Sequence, residues 1–409
     1  MRILLAPDSF KEAASAEAIA QAMARGIKRG DPQAECRLLP LSDGGEGLTH
    51  ALVHATGGTL HDVETVDAVG RPIIAQFGFL GNKHTSRTAV VELASASGLE
   101  QVSPADRNAL VASTFGTGLL IRAAIDAGAD RIVLGLGGSA TTDGGTGLAH
   151  ALGFHFLDTA GHDIPLGGGS LVDLSRIDDS EVPYFVKNVP IVLACDVTNP
   201  LTGPEGAAHV FAPQKGATAT QVELLDQGLA NLAHVIMQYN GRDIECIPGT
   251  GAAGGTGGGT LGLFNTTVRP GIELVLDLAH GREACAWADV IITGEGSIDS
   301  QTPYGKVPSG IAKLAQSQGK PTIAIGGTVT RDPHRRSAEQ SRHYRNIRHC
   351  ARASRSYNVD RQHGTQCRNH LCRNRQHIAH HRSYFTLRIS MMNTAPSSTA
   401  TTAIGNSAA

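Results

Sequence analysis

Over the first 330 residues, short apolar runs alternate with amphipathic stretches. The continuous apolar runs at 3–6, 132–134 and 191–194 predict buried strands, because strands of a parallel sheet are covered on both faces. Residues 15–29 instead place an apolar side chain at every fourth position, which predicts a helix. This alternation is typical of βα units and predicts an α/β protein with a mostly parallel sheet.

One region breaks the βα alternation. Residues 73–79 and 88–93 are two strand-like runs separated by a short polar loop, which predicts an antiparallel hairpin. We therefore expect two domains. The first is a Rossmann-like, mostly parallel sheet domain made of residues 1–65 and 280–330, with the first and last strands in one sheet. The second is an inserted α/β domain of residues 66–279.

The composition agrees with a two-domain α/β protein. The chain has 409 residues and 49 glycines, which suggests two domains with many tight turns. No apolar run is long enough to span a membrane, and the apolar start is too short for a signal peptide. The cysteines of the first 330 residues are scattered and form no C-x-x-C pair, so we expect a cytoplasmic protein with no membrane partner.

The formal net charge of −2 conceals two different segments. Residues 331–390 contain 14 Arg and no Lys, and their net charge is +11. Residues 1–330 therefore carry a net charge of −13. An acidic body without a basic stripe makes nucleic acid an unsuitable partner.

After residue 330 the alternation of strands and helices ends. We expect residues 331–409 to be an aberrant, disordered tail, because they lack any sustained apolar period. One interpretation is a zinc or nucleic-acid module, although the spacing of its ligands matches no known module. The residues that could bind zinc are His349, Cys350, His363, Cys367, His370, Cys372 and His377.

A reading-frame error is the second interpretation of this tail. Residues 343–349, back-translated and read one base later, encode an apolar strand. The same treatment from Asn358 onward gives an Ala-rich amphipathic helix. Because two regular elements emerge in one shifted frame, we favour a frameshifted tail over the zinc module.

The loop of residues 135–145 is the most informative segment for function. Its glycines let backbone N–H groups approach an anion closely, and Ser139 and Thr141 add hydroxyl donors. A helix predicted from residue 147 places the loop at a helix N-terminus, where phosphate is favoured. Asp143 suits a magnesium ion that bridges phosphates better than it suits phosphate itself.

Four further acidic loops follow apparent strands, at residues 8–11, 43–47, 195–200 and 294–299. In open α/β sheets the ligand crevice lies at the carboxyl ends of the strands, so the five loops together predict one phosphoryl-transfer site. Taken singly, each could be an ordinary turn, since Gly and Asp are turn formers. The Walker A and protein-kinase motifs are both absent from the sequence.

A nicotinamide-dependent dehydrogenase of a small hydroxy acid is the alternative. Gly249, Gly251 and Gly254 form a G-x-G-x-x-G pattern, and Glu273 follows at roughly the 20-residue spacing of dinucleotide-binding domains. The apolar run before the pattern is short, and Pro248 stands at the entry to the turn. A single match of this kind is weak evidence.

Seven segments, taken in order, resemble the bacterial class I glycerate kinases, or glycerate 2-kinases. The segments are residues 8–12, 42–47, 135–145, 195–201, 213–217 and 249–255, and 293–296 together with Asp299 and Gln301. The resemblance runs from residue 1 to about 329. Thr142 stands where many members have Asn.

This resemblance implies ATP-dependent phosphorylation of D-glycerate, giving 2-phosphoglycerate, with Mg²⁺ as the metal. It also implies two α/β domains with the active site in the cleft between them. Phosphoryl transfer needs neutralisation of charge and a group that accepts the alcohol proton. Carboxylates at strand ends can supply both, and Lys11, Lys215 and Lys306 can offset negative oxygens. Which hydroxyl reacts, which carboxylate is the base and whether the protein is a homodimer stay open.

The candidate residues divide by role. The candidate catalytic residues are Asp8, Lys11, Asp196 and Lys215. The candidate magnesium ligands are Asp143, Asp196, Glu295 and Asp299. The candidate residues for binding substrate and nucleotide are Ser9, Asp43, Gly44, Gly45, Glu46, Gly137, Gly138, Ser139, Thr141, Asn199, Gln214, Gly294, Gly296 and Gln301.

Overall fold

A computed structural model of the protein describes residues 1–10, 13–81, 86–299, 302 and 305–329. The strands of this part are β1 Arg2–Pro7, β2 Glu35–Leu38, β3 Thr59–Val66, β4 Pro72–Phe79, β5 Thr88–Glu92, β6 Arg131–Gly135, β7 His155–Leu157, β8 Arg176–Asp178, β9 Ile191–Ala194, β10 Thr266–Arg269, β11 Val290–Ile298 and β12 Thr322–Val329. The helices are α1 Ala16–Gly30, α2 Leu48–Thr56, α3 Ala94–Ser97, α4 Phe115–Asp126, α5 Thr146–Ala151, α6 Tyr184–Asn188, α7 Ala207–Phe211, α8 Ala219–Asn240, α9 Thr256–Leu263, α10 Gly271–Leu278, α11 Gly281–Trp287 and α12 Val307–Ser317.

The first sheet joins both ends of the described chain. Its strand order is β12-β11-β1-β2, and every pairing is parallel. Leu5 of β1 lies opposite Ile292 of β11 on one side and Leu38 of β2 on the other. The prediction that the first and last strands share one sheet is therefore confirmed for the described residues.

The second sheet is mixed, with strand order β10-β9-β6-β5-β4-β3. Strands β10, β9, β6 and β5 are parallel, whereas β4 pairs antiparallel with both β5 and β3. The predicted antiparallel hairpin is confirmed, with Phe77 opposite Val91. The predicted domain boundary at residue 65 falls within β3, which pairs with β4 along its whole length. The division into two domains stays a prediction.

A shared apolar layer holds the two sheets together. Leu4 and Ile291 of the first sheet and Val90, Val133 and Val192 of the second belong to one buried cluster. Helices α2, α10, α11 and α12 contribute to the same cluster. Because successive side chains of a strand point to opposite faces, the alternate residues of these strands are packed by other helices. Both faces of the inner parallel strands β1, β5, β6 and β9 are thus buried, as their continuous apolar sequences require.

Local sequence signals explain where the helices begin. Ser15 caps α1 by accepting a hydrogen bond from the N–H of Ala18 at 3.3 Å, and Glu17 lies in the first turn. A reciprocal capping box of Thr218 and Gln221 opens α8. The apolar face of α1, including Met23, packs on the outer face of the first sheet.

Two predictions concern membranes and the tail. In the part of the chain that the structure describes, none of the helices combines the length and apolar character needed to cross a membrane. The frameshift and zinc-module interpretations of residues 331–409 lie outside the described residues.

Candidate functional site

The loop of residues 42–47, after β2, bridges the ends of the two sheets. At Gly44 a Cβ atom would lie 3.1 Å from the Cβ of Ala194, the last residue of β9, and 3.3 Å from the Cα of Gly271. At Gly137, just after β6, a Cβ atom would lie 2.6 Å from the Cα of Gly45. Backbones this close leave no room for side chains, so the glycines let three loops meet at one point.

Asp43 and Asp196 come together at this point. The backbone N–H of Gly271, at the start of α10, donates a hydrogen bond of 2.9 Å to Oδ1 of Asp196. A Cβ atom at Gly271 would lie 1.9 Å from the backbone oxygen of Asp43 and 2.8 Å from Oδ2 of Asp196. At Gly305, two residues before α12, a Cβ atom would lie 3.3 Å from Cγ of Asp196. The Asp196 carboxylate is therefore held between the starts of two helices.

The surroundings of Asp196 raise its pKa to about 6, from an ordinary value of 3.8. The first cause is desolvation by neighbouring protein atoms, and the negative charges of Asp43 and Glu273 add to it. The hydrogen bond from Gly271 acts in the opposite direction. The residue nevertheless keeps exposed surface. An accessible carboxylate with such a pKa can accept a proton near neutral pH.

At the first sheet, the ends of β1 and β11 are joined through their backbones. The N–H of Asp8 donates to the oxygen of Gly294 at 2.8 Å, and the carboxylate of Asp8 accepts from the N–H of Ser9 at 2.6 Å. Asp8 and Ser9 are half-buried, and Gly294 is buried within β11. The candidate catalytic residue Asp8 and the candidate binding residues Ser9 and Gly294 thus share the carboxyl edge of the first sheet.

Glu295 is buried and already bound within the protein. Its Oε1 accepts from the hydroxyl of Thr302 at 2.5 Å, and its Oε2 lies 3.3 Å from Nζ of Lys306. Burial raises the pKa of Glu295, and its contacts with Thr302 and Lys306 oppose that rise. Thr302 also accepts from the N–H of Asp299 at 3.1 Å. Because Lys306 follows Gly305, this network adjoins the Asp196 site.

Asp143 organises the loop after β6. Its buried Oδ2 accepts from the N–H of Thr114 at 2.7 Å, from the Thr114 hydroxyl at 2.8 Å and from the N–H of Gly147 at 3.3 Å, while Oδ1 accepts from Gly145. A carboxylate with both oxygens occupied inside the protein is poorly placed to hold an ion. The metal role of Asp143 stays a prediction.

Lys215 is buried against the same loop. Its Nζ donates to the backbone oxygen of Thr141 at 2.5 Å and to Oγ of Ser139 at 3.2 Å. Burial lowers the pKa of Lys215 to about 7, although the charge of Asp143 opposes the change. Gln214, by contrast, is exposed, and its backbone oxygen accepts from Arg107 at 3.3 Å. Lys215 therefore fixes the conformation of the loop in this structure.

The G-x-G-x-x-G segment packs loops together. At Gly254 a Cβ atom would lie 1.9 Å from the backbone oxygen of Thr141, and the N–H groups of Gly249 and Gly251 donate to the backbone oxygen of Asn199. The side chain of Asn199 is itself bound to the backbone of Glu205. Residues 241–255 form turns and bends, so no strand precedes the pattern as a dinucleotide-binding unit requires. The structure gives the dehydrogenase alternative no support.

Sequence reasoning missed Glu92. Only 5% of its surface is exposed, and it accepts hydrogen bonds from the N–H groups of Gly47 at 2.9 Å and Thr49 at 2.6 Å. Burial raises the pKa of Glu92. The signal was present in the sequence, because a glutamate closes the apolar run of β5. Glu92 anchors the loop that carries Asp43.

Thirteen of the predicted site residues fall into three groups. Asp43, Gly44, Gly45, Gly137 and Asp196 meet between the sheets, and Asp8, Ser9, Gly294 and Glu295 lie at the edge of the first sheet. Ser139, Thr141, Asp143 and Lys215 form the third group, in or against the loop after β6. Glu46 and Gly138 are exposed, and Gly296 is half-buried. Lys11 and Gln301 lie outside the described residues.

Parallel strands that end on acidic, glycine-rich loops define an α/β protein with a ligand crevice at its strand ends. The sequence model of the glycerate kinase family matches residues 3–372. The chain belongs to this glycerate kinase family. The matched range extends past residue 329, where the resemblance was predicted to end.

Individual relatives agree with the family match. The chain is 47% identical to a glycerate kinase of Bacillus subtilis (strain 168) over 332 residues, which cover 81% of this chain and 86% of that protein. It is 42% identical to the glycerate 2-kinase of Escherichia coli (strain K12), again over 81% of this chain and 86% of the relative. A crystal structure from Salmonella typhimurium LT2, of a protein assigned as glycerate kinase 2, has a TM-score of 0.78 and 40% identity. It covers 93% of this chain and 97% of its own.

Proposed function

We propose that this protein is an ATP-dependent glycerate kinase that transfers the γ-phosphoryl group of ATP to D-glycerate and forms 2-phosphoglycerate. The observation that carries the proposal is the position of Asp196, an accessible carboxylate with a pKa of about 6 beside Asp43. The family match and the names of the relatives support glycerate as the substrate.

Asp196 supplies the base for this reaction. As the hydroxyl oxygen of glycerate forms its bond to the γ-phosphorus, the bond from that phosphorus to the bridging oxygen breaks and ADP leaves. The proton of the hydroxyl passes to the Asp196 carboxylate. The N–H of Gly271 binds one carboxylate oxygen and so fixes the direction of the other.

Magnesium fits the carboxylates of this site, since Mg²⁺ prefers oxygen ligands. Of the four predicted ligands, Asp196 and Asp299 keep exposed surface, whereas Asp143 and Glu295 are buried and bound within the protein. Because Asp196 serves as the base, Asp299 is the predicted ligand that would hold the ion. When bound, magnesium neutralises charge on the phosphate oxygens.

The glycines after β6 are the phosphate-binding part of the proposal. Gly138 is exposed and adopts φ +74°, and Gly137 is half-buried beside Gly45. Such backbone leaves N–H groups able to face an anion. A cytoplasmic location and a homodimer remain predictions from the sequence.

A coupled assay of ADP release with D-glycerate tests the proposed reaction, with the product separated against 2- and 3-phosphoglycerate standards. Asp196→Asn should lower turnover at least about a hundredfold while leaving the circular dichroism spectrum unchanged. The matched control is Glu283→Gln, an exposed change on α11, which should retain turnover. ADP release that does not depend on D-glycerate would contradict the proposal, as would an Asp196→Asn variant with wild-type turnover.

A further inference from the structure

We propose that His150, His155 and Asp163 form a binding site for a zinc-like transition-metal ion, separate from the phosphoryl-transfer site. His150 lies in the last turn of α5, His155 begins β7, and Asp163 lies in the loop between β7 and β8. Each offers one ligand atom, and these atoms all lie within 4.8 Å of one another. Two imidazoles and one carboxylate are a ligand set typical of zinc.

The tautomer of His150 is fixed by the backbone. Its Nδ1 lies 3.0 Å from the backbone oxygen of Phe154. Because a carbonyl oxygen can only accept, Nδ1 carries the proton and Nε2 presents a lone pair. Histidines that bind metals commonly donate their other ring nitrogen to a backbone carbonyl in this way.

His155 is held between two carboxylates. Its Nδ1 lies 2.9 Å from Oδ2 of Asp163, and its Nε2 lies 3.5 Å from Oε2 of Glu181. With Nε2 protonated toward Glu181, the Nδ1 lone pair and the Asp163 oxygen are neighbours, as two ligands of one ion are. A metal ion would replace the proton that the contact between Nδ1 and Asp163 requires in the metal-free protein.

The backbone places Asp163 at this position before any ion binds. The N–H of Ile164 donates to the oxygen of Phe156 at 2.8 Å, and Asp163 forms a β-bridge with Leu157. These contacts fold the loop back along β7, so the carboxylate stands beside His155. The side chain of Asp163 is 44% exposed, which gives an ion direct access.

The ligand set also distinguishes this site from the magnesium carboxylates. Imidazole nitrogen favours zinc, nickel, cobalt or copper, whereas magnesium prefers an all-oxygen shell. A bound ion would connect the C-terminal end of α5 to the loop after β7. Since α5 begins just after Asp143, the ion would stabilise the helix on which the glycine-rich loop rests.

Thermal unfolding of the chelator-treated, full-length protein, with and without Zn²⁺, tests this site. At free Zn²⁺ about a hundredfold above the dissociation constant, we expect the melting temperature to rise by about 5 °C. His155→Gln and His150→Gln should abolish this rise. Isothermal titration should show one Zn²⁺ site fewer in each variant, which separates this site from zinc bound elsewhere on the chain.

The matched control is His162→Gln on the same loop. His162 is exposed, and its Nδ1 lies 3.8 Å from Asp158, away from the three ligands. This variant should keep the zinc-dependent rise. Asp163→Asn provides a third ligand variant in an exposed loop if His150→Gln fails to fold. The proposal is wrong if wild type shows no zinc-dependent rise, or if the ligand variants keep both the rise and the wild-type stoichiometry.

Discussion

The pH dependence of the reaction should reveal the state of Asp196. Its pKa of about 6 means that at pH 5 only about a tenth of the molecules carry the ionised carboxylate. With the ordinary value of 3.8, more than about nine-tenths would be ionised at that pH. If Asp196 accepts the alcohol proton, kcat/KM should therefore fall about tenfold from its plateau between pH 7 and pH 5.

Removing a neighbouring charge should move this pH profile. Glu273 lies exposed in the first turn of α10 and raises the pKa of Asp196 through its negative charge. Glu273→Gln should therefore shift the acid side of the profile to lower pH, whereas Glu283→Gln on α11 should leave it in place. ATP and glycerate titrate identically in each assay. A difference in pH profile between wild type and a variant, measured at constant ionic strength, therefore comes from the enzyme.

The same pKa makes a prediction about stability. The pKa of Asp196 is higher in the folded protein than in the unfolded chain. Protonated Asp196 therefore contributes to the free energy of unfolding below about pH 4, and this contribution is lost as the pH rises through 6. The stability of Asp196→Asn relative to wild type should therefore increase between pH 4 and pH 8, as measured by urea unfolding. This reasoning would be refuted if kcat/KM falls only near pH 4 and the stability difference between Asp196→Asn and wild type does not change with pH.

Three other substitutions test the loops. Asp143→Asn should lower the free energy of unfolding, measured by urea titration, by about 2–4 kcal/mol, because the charged acceptor for Thr114 is lost. The exposed control Asp130→Asn should be nearly neutral in the same titration. Gly254→Ala should cost more than about 3 kcal/mol, because its Cβ would meet a backbone oxygen at 1.9 Å, whereas Gly161→Ala, with φ +86° in open space, should cost about 1–2 kcal/mol. Since burial lowers the pKa of Lys215, Lys215→Met should gain stability relative to wild type as the pH falls from 9 to 6. A stability difference between variant and wild type that is the same at pH 9 and pH 6 would contradict this.

The sequence alone was enough to predict these strands and helices and to identify the acidic loops that carry the candidate site. The apolar run Ile132–Leu134 became the buried strand β6, and the helix predicted over residues 15–29 is α1. Both signals are local, since they depend on residues within one or two turns of each other. The hairpin of β4 and β5 was predicted for the same reason. The acidic loops were also recognisable, because each directly follows an apolar run.

Only the tertiary structure decided what each loop residue does. Asp143 meets Thr114 and Lys215 meets Thr141 across 29 and 74 positions of the chain, so neither contact leaves a trace in local periodicity. The raised pKa of Asp196 likewise comes first from desolvation by the protein atoms packed around it and then from the charges of Asp43 and Glu273, which lie far away in sequence. The role of a carboxylate depends on the donors, charges and water around it, and folding brings these together from distant segments. The sequence therefore identifies the candidate carboxylates, whereas the tertiary structure shows that Asp196 is accessible and Asp143 is buried.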